Sequence, residues 1–357
     1  MKILHLIQKP QNRGAETFAC QLANHQIELG HEVMIISIFT GIAELPWRNE
    51  IISIQGSTSN RFFDFSAWKQ LANYIEEFKP DIIQANAGDT LKYAIFSKLF
   101  FKWKTPIVFR NASEVGRYLS SNYQKIFNRF LYERLDGVIS VSHASKKDLL
   151  RHFPFLVNLT QVIPIGLEEK LNIEVISLKP EGKQHIVHVG GFSFEKNHQG
   201  LISIFQKVLN ANDQTHLHLV GDGPLRLEIE NLVKERKLED KVSFYGFVNN
   251  PLSYIKSADV LILPSKIEGL PGVLLEAMYC KTPVVAYDVG GISEIVSNRT
   301  GSLIKKGEEE LFAAAIQENL VNPNIQKINF AFEQVCEHYM NSEISENFTA
   351  FYKDLQR

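Results

Sequence analysis

Short apolar runs rich in Ile and Val alternate along this chain with longer stretches whose apolar residues recur every three or four positions. The first pattern predicts strands and the second amphipathic helices. In the first half, strands are predicted at residues 3–7, 32–38, 81–85, 106–110 and 137–142, with a helix over 15–29 after the first. Gly30 stops that helix, as a glycine just past a helix end does. The second half restarts the alternation, with strands at 185–190, 216–221, 241–246, 259–264 and 283–288. Helices are predicted between them at 197–209, 224–237, 250–257 and 271–280. The stretch 163–183 lacks a strong period and carries Pro164, Gly166, Pro180 and Gly182, which marks a linker. Residues 341–357 read as a closing helix, and no tandem repeat or low-complexity tract interrupts the pattern.

Such alternation belongs to α/β domains with parallel sheets. A chain of 357 residues exceeds one ordinary core, so two domains are expected. An open parallel sheet binds ligands beyond the carboxyl ends of its strands, and two such sheets facing each other make a cleft. A net charge of −2 creates no global field that would recruit nucleic acid, and no nucleic-acid partner is expected. Cys20, Cys280 and Cys336 are too few and too scattered for a disulfide framework or a zinc site, and a reducing cytoplasm fits them. The first residues do not read as a signal peptide, and no run approaches the ~18–20 apolar residues of a membrane span. The eleven histidines show no metal-ligand spacing and no Asp-x-Asp triplet occurs, so neither a metal nor a resident cofactor is expected.

The most informative segment is Pro264-Ser265-Lys266-Ile267-Glu268-Gly269-Leu270-Pro271-Gly272-Val273-Leu274-Leu275-Glu276. A strand ends, a short glycine-containing loop follows, and a helix begins near Pro271, a residue suited to a first helical position. The unpaired N–H groups of that helix start are a ready anion site for Gly269, Leu270, Pro271, Gly272 and Val273 to frame. Glu276 lies among apolar neighbours, where a carboxylate is costly without partners, and a ribose diol offers two hydroxyl donors. Glu268, in the loop, is placed to meet sugar hydroxyls. The bland alternative is one solvated helix glutamate and one loop glutamate.

Glu268 and Glu276, with seven residues between them, resemble the E-x7-E motif of the retaining glycosyltransferases of family 4, which have the GT-B fold. Val189-Gly190-Gly191-Phe192-Ser193-Phe194-Glu195-Lys196-Asn197 is similar to the family's G-R-L…E-K loop. Gly221-Asp222-Gly223-Pro224, Phe244-Tyr245-Gly246 and Gly290-Gly291-Ile292-Ser293-Glu294 match its G-D-G-P, F-x-G and G-G-x-x-E. Asn12-Arg13-Gly14-Ala15-Glu16 resembles its N-terminal G-G-A-E loop. The match is dense over the second half and thin over the first.

The resemblance implies two Rossmann-like domains facing across a cleft: an acceptor domain over 1–165, a nucleotide-sugar donor domain over 166–335, and a helical segment over 336–357 that packs back on the first. It implies that Glu268 contacts the donor sugar, Glu276 holds the ribose and Lys196 neutralises the diphosphate. Gly190, Gly191, Gly221 and Gly246 would border the donor, and Phe247 either cradles the base or is a core aromatic at a strand end. Glu294 either lines the site or is a helix-start carboxylate favoured by the dipole. Gly191 stands where the family has arginine, which leaves Arg13 and Arg110 as candidate charge partners. Gly14 still lets backbone approach a phosphate or acceptor. No histidine follows the strand at 106–110, leaving Asn111 or Glu114 to meet the reacting sugar.

The reaction implied is transfer of a hexose or similar sugar from a nucleoside diphosphate to a saccharide or lipid-linked acceptor, with retention, in polysaccharide, lipopolysaccharide or glycolipid synthesis. A nucleotide-sugar 2-epimerase of the same fold and a nucleotide-sugar-binding subunit without turnover are the competing readings. A dinucleotide oxidoreductase is disfavoured, since no G-x-G-x-x-G follows the first strand. Residues 92–104 place Ile95, Leu99 and Trp103 on one helical face and Lys98 and Lys102 on another. Either this helix packs its apolar face on the sheet, or it lies at the surface of an anionic membrane from the cytoplasmic side.

Overall fold

The computed structural model describes residues 1–356. The chain forms two compact units, Met1–Glu168 with the chain from Asn341 onward, and Glu169–Met340.

The first unit is built on a seven-stranded sheet. Its strands are β1 (Lys2–Ile7), β2 (Glu32–Ser37), β3 (Ile52–Ser53), β4 (Ile82–Ala85), β5 (Ile107–Asn111), β6 (Gly137–Ser140) and β7 (Thr160–Val162), in the order β3-β2-β1-β4-β5-β6-β7. Every pairing in it is parallel. Helices α1 (Gly14–Glu28), α2 (Phe65–Phe78), α3 (Gly88–Phe101), α4 (Asn122–Tyr132) and α5 (His143–His152) supply crossovers. Central strands are buried on both faces, so Ile, Val and Leu dominate them, broken by the buried polar residues His5, Gln84, Arg110 and Asn111.

The second unit carries a six-stranded parallel sheet. Its strands are β8 (Gln184–Val189), β9 (Thr215–Val220), β10 (Val242–Gly246), β11 (Val260–Leu263), β12 (Val284–Asp288) and β13 (Ser302–Lys305), in the order β10-β9-β8-β11-β12-β13. Around it lie α6 (His198–Ala211), α7 (Arg226–Glu235), α8 (Pro251–Lys256), α9 (Gly272–Tyr279), α10 (Glu309–Val321) and α11 (Ile325–His338). Helix α12 (Asn341–Asp354) returns to the first unit. There Ile344, Phe348 and Tyr352 join Ile3, Phe18, Leu22 and Ile82 in one buried cluster, and the Tyr352 hydroxyl hydrogen-bonds Gln84 inside the sheet.

The two halves therefore have the expected α/β architecture, with differences in detail. Edge strands β3, β7 and β13 span two, three and four residues, too short for a periodic signal. The first crossing between units falls after Glu168 rather than 165. The second falls after Met340 rather than 335, because α11 stays with the second unit: Phe332 stacks on Tyr279 at 5.8 Å and Val335 is buried. Residues 92–104 also differ. Helix α3 ends at Phe101, and its buried residues surround it rather than forming one stripe: Leu91, Tyr93, Ala94, Ile95 and Ser97. Trp103 folds back to donate to Ser97 Oγ at 3.1 Å. Lys92 pairs with Asp89 at 2.5 Å and Lys98 with Asp136 at 3.5 Å. Ile95 and Trp103 are thus core contacts, and the lipid-facing stripe drawn through them does not exist.

Histidines are concentrated in the second sheet. His185 Nδ1 lies 2.9 Å from His218 Nε2, and His218 Nδ1 lies 2.9 Å from the Tyr245 hydroxyl. Burial holds His188 and His216 down to about 4 and His218 to about 3. These imidazoles stay neutral in the fold while an unfolded chain protonates them near pH 6.5. Below that pH the unfolded state binds more protons, so stability falls with falling pH until the folded values near 4 are reached. The melting temperature should therefore drop by several degrees between pH 7 and pH 5, at about 2–4 °C per kcal/mol. A melting temperature that stays flat over that interval would contradict the neutral-histidine core.

Candidate active site

The strand order of the second sheet reverses between β8 and β11, so a crevice opens at their carboxyl ends. Strand β8 runs into the loop 190–197 and β11 into the loop 264–271. The loops are tied together: Lys266 N–H donates to Glu195 O at 2.7 Å, and Asn197 Nδ2 donates to Pro264 O at 3.0 Å. Lys196 ends a 3-10 turn, Phe194–Lys196, and its Nζ lies 2.7 Å from Glu268 Oε1. The glutamate is buried and the lysine about one-fifth exposed, so water weakens the pair little.

The loop after β12 presses on Glu268 from behind. Gly290 has φ +57°, and a Cβ there would stand 1.8 Å from Glu268 O. Only glycine permits this approach. Gly291 N–H completes the clamp on Gly269 O at 2.9 Å. Leu270 and Pro271 are buried under the loop, and Pro271 is the N-cap of α9 rather than its first helical residue. Gly272 and Val273 open the helix, where N–H groups have no intrahelical acceptor and the dipole favours an anion.

Glu276 sits at the fifth position of α9, flanked by buried Leu274, Leu275, Ala277 and Met278. Burial pushes its carboxyl above the usual carboxylate range, opposed by the charge of Lys170. It has no hydrogen-bond partner among the described residues, which leaves both its oxygens for hydroxyl donors.

The remaining residues expected at the donor lie at the carboxyl ends of β8, β9 and β10 and after β12. Gly190 N–H bonds Val220 O at 2.9 Å and Gly221 N–H bonds Gly246 O at 2.8 Å, lacing the ends of β8, β9 and β10 together. Gly191 is exposed, and the nearest atom to an added Cβ is Asp222 O at 3.4 Å, so a longer side chain fits there. Phe247 is 61% exposed just past β10, which removes the core-aromatic alternative. Glu294 closes a 3-10 turn, Ile292–Glu294, half-buried. One cation was missed: Arg226, two residues beyond the Gly-Asp-Gly-Pro loop, bonds Asp222 at 3.0 Å, and its Nη1 would lie 3.0 Å from a Cβ at Gly246. Its spacing from Asp222, four residues along a helix start, was the available signal.

In the first unit, Arg13 is the exposed N-cap of α1, and nothing lies within 4 Å of an added Cβ at Gly14. Arg110 and Asn111 prove to be internal. The Arg110 guanidinium is buried against the Phe18 ring at 4.6 Å and donates to Ala15 O and Asn86 Oδ1 at 3.2 and 3.3 Å. Asn111 Nδ2 bonds Ser140 Oγ and Ser145 O, both at 3.2 Å, tying β5 to β6 and α5. Glu114 pairs with Arg117 at 3.2 Å. The polar groups that gather where this sheet's order reverses, at the ends of β1 and β4, are others. Gln11 donates to Glu16 at 2.8 Å, and Gln8 donates to Asp89 at 2.7 Å. Glu16 is buried with Oε2 unpaired, and burial raises its carboxyl. Only Glu16, inside the N-terminal loop motif, carried a sequence signal.

Among the described residues, no group of three or more His, Cys, Asp or Glu side chains is arranged to hold a metal ion. No helix among them is long and apolar enough to cross a membrane.

The chain matches the family Glycosyltransferase Family 4 over residues 12–170 and the family Glycosyl transferases group 1 over residues 169–329. It is 28% identical over 364 residues, 98% of this chain and 97% of the other, to the GalNAc-alpha-(1->4)-GalNAc-alpha-(1->3)-diNAcBac-PP-undecaprenol alpha-1,4-N-acetyl-D-galactosaminyltransferase of Campylobacter jejuni. Other curated glycosyltransferases are matched over only 58%, 56% and 62% of their own length. Among solved structures, sucrose-phosphate synthase from Thermosynechococcus elongatus superposes with a TM-score of 0.83 at 22% identity, covering 99% of this chain and 98% of that one. HepE from Anabaena in complex with UDP-glucose superposes with a TM-score of 0.82 at 20% identity, covering 99% of this chain and all of the other.

The clamp on Glu268 makes a direct prediction. Gly290→Ala should destabilise the protein by about 3 kcal/mol, the top of the overpacking range, whereas Gly14→Ala, in open space, should leave stability within about 0.5 kcal/mol. Denaturant unfolding of the two variants checks this, and equal midpoints would show that the close approach at Gly290 is not held.

Proposed function

Because the chain belongs to the glycosyltransferases of group 1 and family 4, with the GT-B fold, we propose that it transfers a hexose or similar sugar from a nucleoside-diphosphate sugar to an acceptor hydroxyl with retention of configuration. The observation that carries the proposal is the Lys196–Glu268 pair, held 2.7 Å apart at the sheet reversal beside the first turn of α9. A cation, a helix start and a buried carboxylate converge there, which suits a sugar joined to a diphosphate. The anomeric bond to the leaving phosphate breaks through an oxocarbenium-like transition state. Lys196 and the N–H groups of Gly272 and Val273 meet the charge that grows on that phosphate. Glu268 holds sugar hydroxyls and Glu276 holds the ribose. The departing phosphate oxygen takes the proton of the acceptor hydroxyl as the new glycosidic bond forms on the same face. In this scheme the chain uses no resident cofactor and no metal.

The acceptor class we assign is a saccharide or lipid-linked saccharide, supported by the name of the Campylobacter relative. A lipid-linked acceptor brings the enzyme to the cytoplasmic membrane face, and the first unit offers a surface for it. Phe62, Phe63, Phe65, Phe100, Tyr123 and Ile126 are exposed, Tyr123 by 86% and Phe63 by 78%. Ring contacts tie three of them to one another or to buried or partly buried aromatics: Phe65 to Phe100 at 5.6 Å, Phe100 to Trp68 at 5.3 Å, and Phe62 to Phe127 at 5.5 Å. Exposed Lys102, Lys104, Lys125 and Arg129 flank these residues along the chain. Aromatics beside lysines complement an anionic bilayer, each cation contributing about 1 kcal/mol near the surface. This surface replaces the stripe expected through Ile95 and Trp103.

Glu268→Ala and Glu276→Ala should abolish transfer with the fold intact. Lys196→Ala should lower the rate by roughly two orders of magnitude, the scale of one lost oxyanion donor. Transfer should persist in EDTA. Wild-type turnover in both glutamate variants, or loss in EDTA restored by magnesium or manganese, would refute this scheme. For the membrane surface, replacing Phe63, Phe100, Tyr123 and Ile126 together by serine should end co-sedimentation with anionic vesicles at low salt. If the wild-type protein stays in the supernatant with such vesicles, the surface has another use.

A further inference from the structure

Beneath the loop that carries Lys196 lies a layer of neutral imidazoles that the scheme above does not use. His188, the penultimate residue of β8, is fully buried. Its Nδ1 lies 2.9 Å from Ile262 O, a carbonyl that can only accept, so Nδ1 carries the proton and Nε2 carries a lone pair. That Nε2 has no hydrogen-bond partner. His198, the first residue of α6, is also buried, with both ring nitrogens unpaired. It stacks on Phe192 at 4.0 Å and meets the His188 ring edge-on at 4.8 Å.

His188 Nε2 and the aliphatic end of Lys196 border the same space at Gly190. A Cβ built at Gly190 would stand 3.2 Å from His188 Nε2 and 3.5 Å from both Cδ and Cε of Lys196. The glycine thus keeps side-chain atoms out of the space between imidazole and lysine. The Lys196 charge opposes protonation of both His188 and His198, which places the ammonium electrostatically close to each. The titratable groups that meet here are His188 from β8, His198 from α6, Lys196 from the turn and Glu268 from the loop after β11.

We propose that His188 is a positioning residue: its Nε2 accepts an N–H of the Lys196 ammonium when a nucleoside diphosphate is bound. The inference rests on the assignment of Lys196 to the diphosphate. In the structure Lys196 and Glu268 satisfy one another. A donor sugar claims Glu268, and the ammonium then needs a partner that orients it without cancelling its charge. A carboxylate would cancel that charge, whereas a neutral imidazole nitrogen does not. An unmade hydrogen bond in a buried site is costly, and one made to a charged group contributes more than a neutral one. The empty lone pair is therefore filled at the moment the cation is drawn toward phosphate.

The test uses the full-length chain with UDP, GDP and ADP as probes in calorimetry. Lys196→Ala should weaken the nucleotide that binds wild type at least tenfold, and His188→Phe should weaken it about tenfold. His188→Gln, whose amide oxygen accepts, should recover most of the loss. In the Lys196→Ala background, His188→Phe should change nothing, because the partner is gone. Imidazole nitrogen NMR of the wild type needs no variant to fold: saturating nucleotide should shift His188 Nε2 from a free to a hydrogen-bonded lone pair. No nucleotide binding to wild type, or an unchanged Kd in Lys196→Ala, overturns the site assignment beneath the inference. A weakened Lys196→Ala with wild-type binding in His188→Phe, or an unmoved Nε2 resonance, overturns the inference alone.

Discussion

A parallel strand is followed by a parallel neighbour only if the chain crosses back over the sheet, and that crossover has one favoured hand. Growth of the sheet in both directions from its first strand is then possible only by reversing direction once. In the second unit the reversal falls between β8 and β11. The loops leaving these strands have no crossover helix between them at that point, so they meet each other instead. The meeting of Lys196 and Glu268 follows from this gap. Lys196 arrives from one loop and Glu268 from the other, and the glycines of the neighbouring strand ends let the backbones close ranks around them.

The resting pair is also an economical way to keep two charges in a buried place. A lone buried carboxylate or ammonium is expensive, and each here is compensated by the other. Under the proposed function, ligand binding would exchange these partners rather than uncover bare charges. Glu276 is handled differently: burial favours its neutral form, and hydroxyl donors would favour the ionised one. Two glutamates eight positions apart thus stand in different electrostatic situations, one paired and one waiting.

Legibility in the sequence followed the physics of each element. Central strands such as β1 and β11 are buried and leave short runs rich in Ile, Leu and Val, so they were visible. Strands β3 and β7 lie at sheet edges, with pairings of two and three residues, and no period can emerge over such lengths. The second-unit site was readable because its work is done by backbone geometry, and geometry demands glycine and proline at fixed offsets. The first-unit site was not. Arg110 looked like an available cation, and only the fold shows its guanidinium committed to Phe18, Ala15 and Asn86. Gln8 and Asp89 lie far apart in the chain and meet only through the sheet reversal. The unpaired nitrogens of His188 and His198 were likewise invisible, since nothing in sequence tells a satisfied histidine from an unsatisfied one.

Helix α12 belongs to the first unit but follows the whole of the second in the chain. During synthesis at about 5–20 residues per second, the first sheet is complete some tens of seconds before Phe348 and Tyr352 emerge. Through that interval Ile3, Phe18, Leu22 and Ile82 lack the side chains that finally cover them, and Gln84 lacks its tyrosine hydroxyl. The second unit, continuous in sequence, has no such wait. The order of maturation is therefore the reverse of the order of translation: the later-made unit can finish first, and the earlier one is sealed by the last helix.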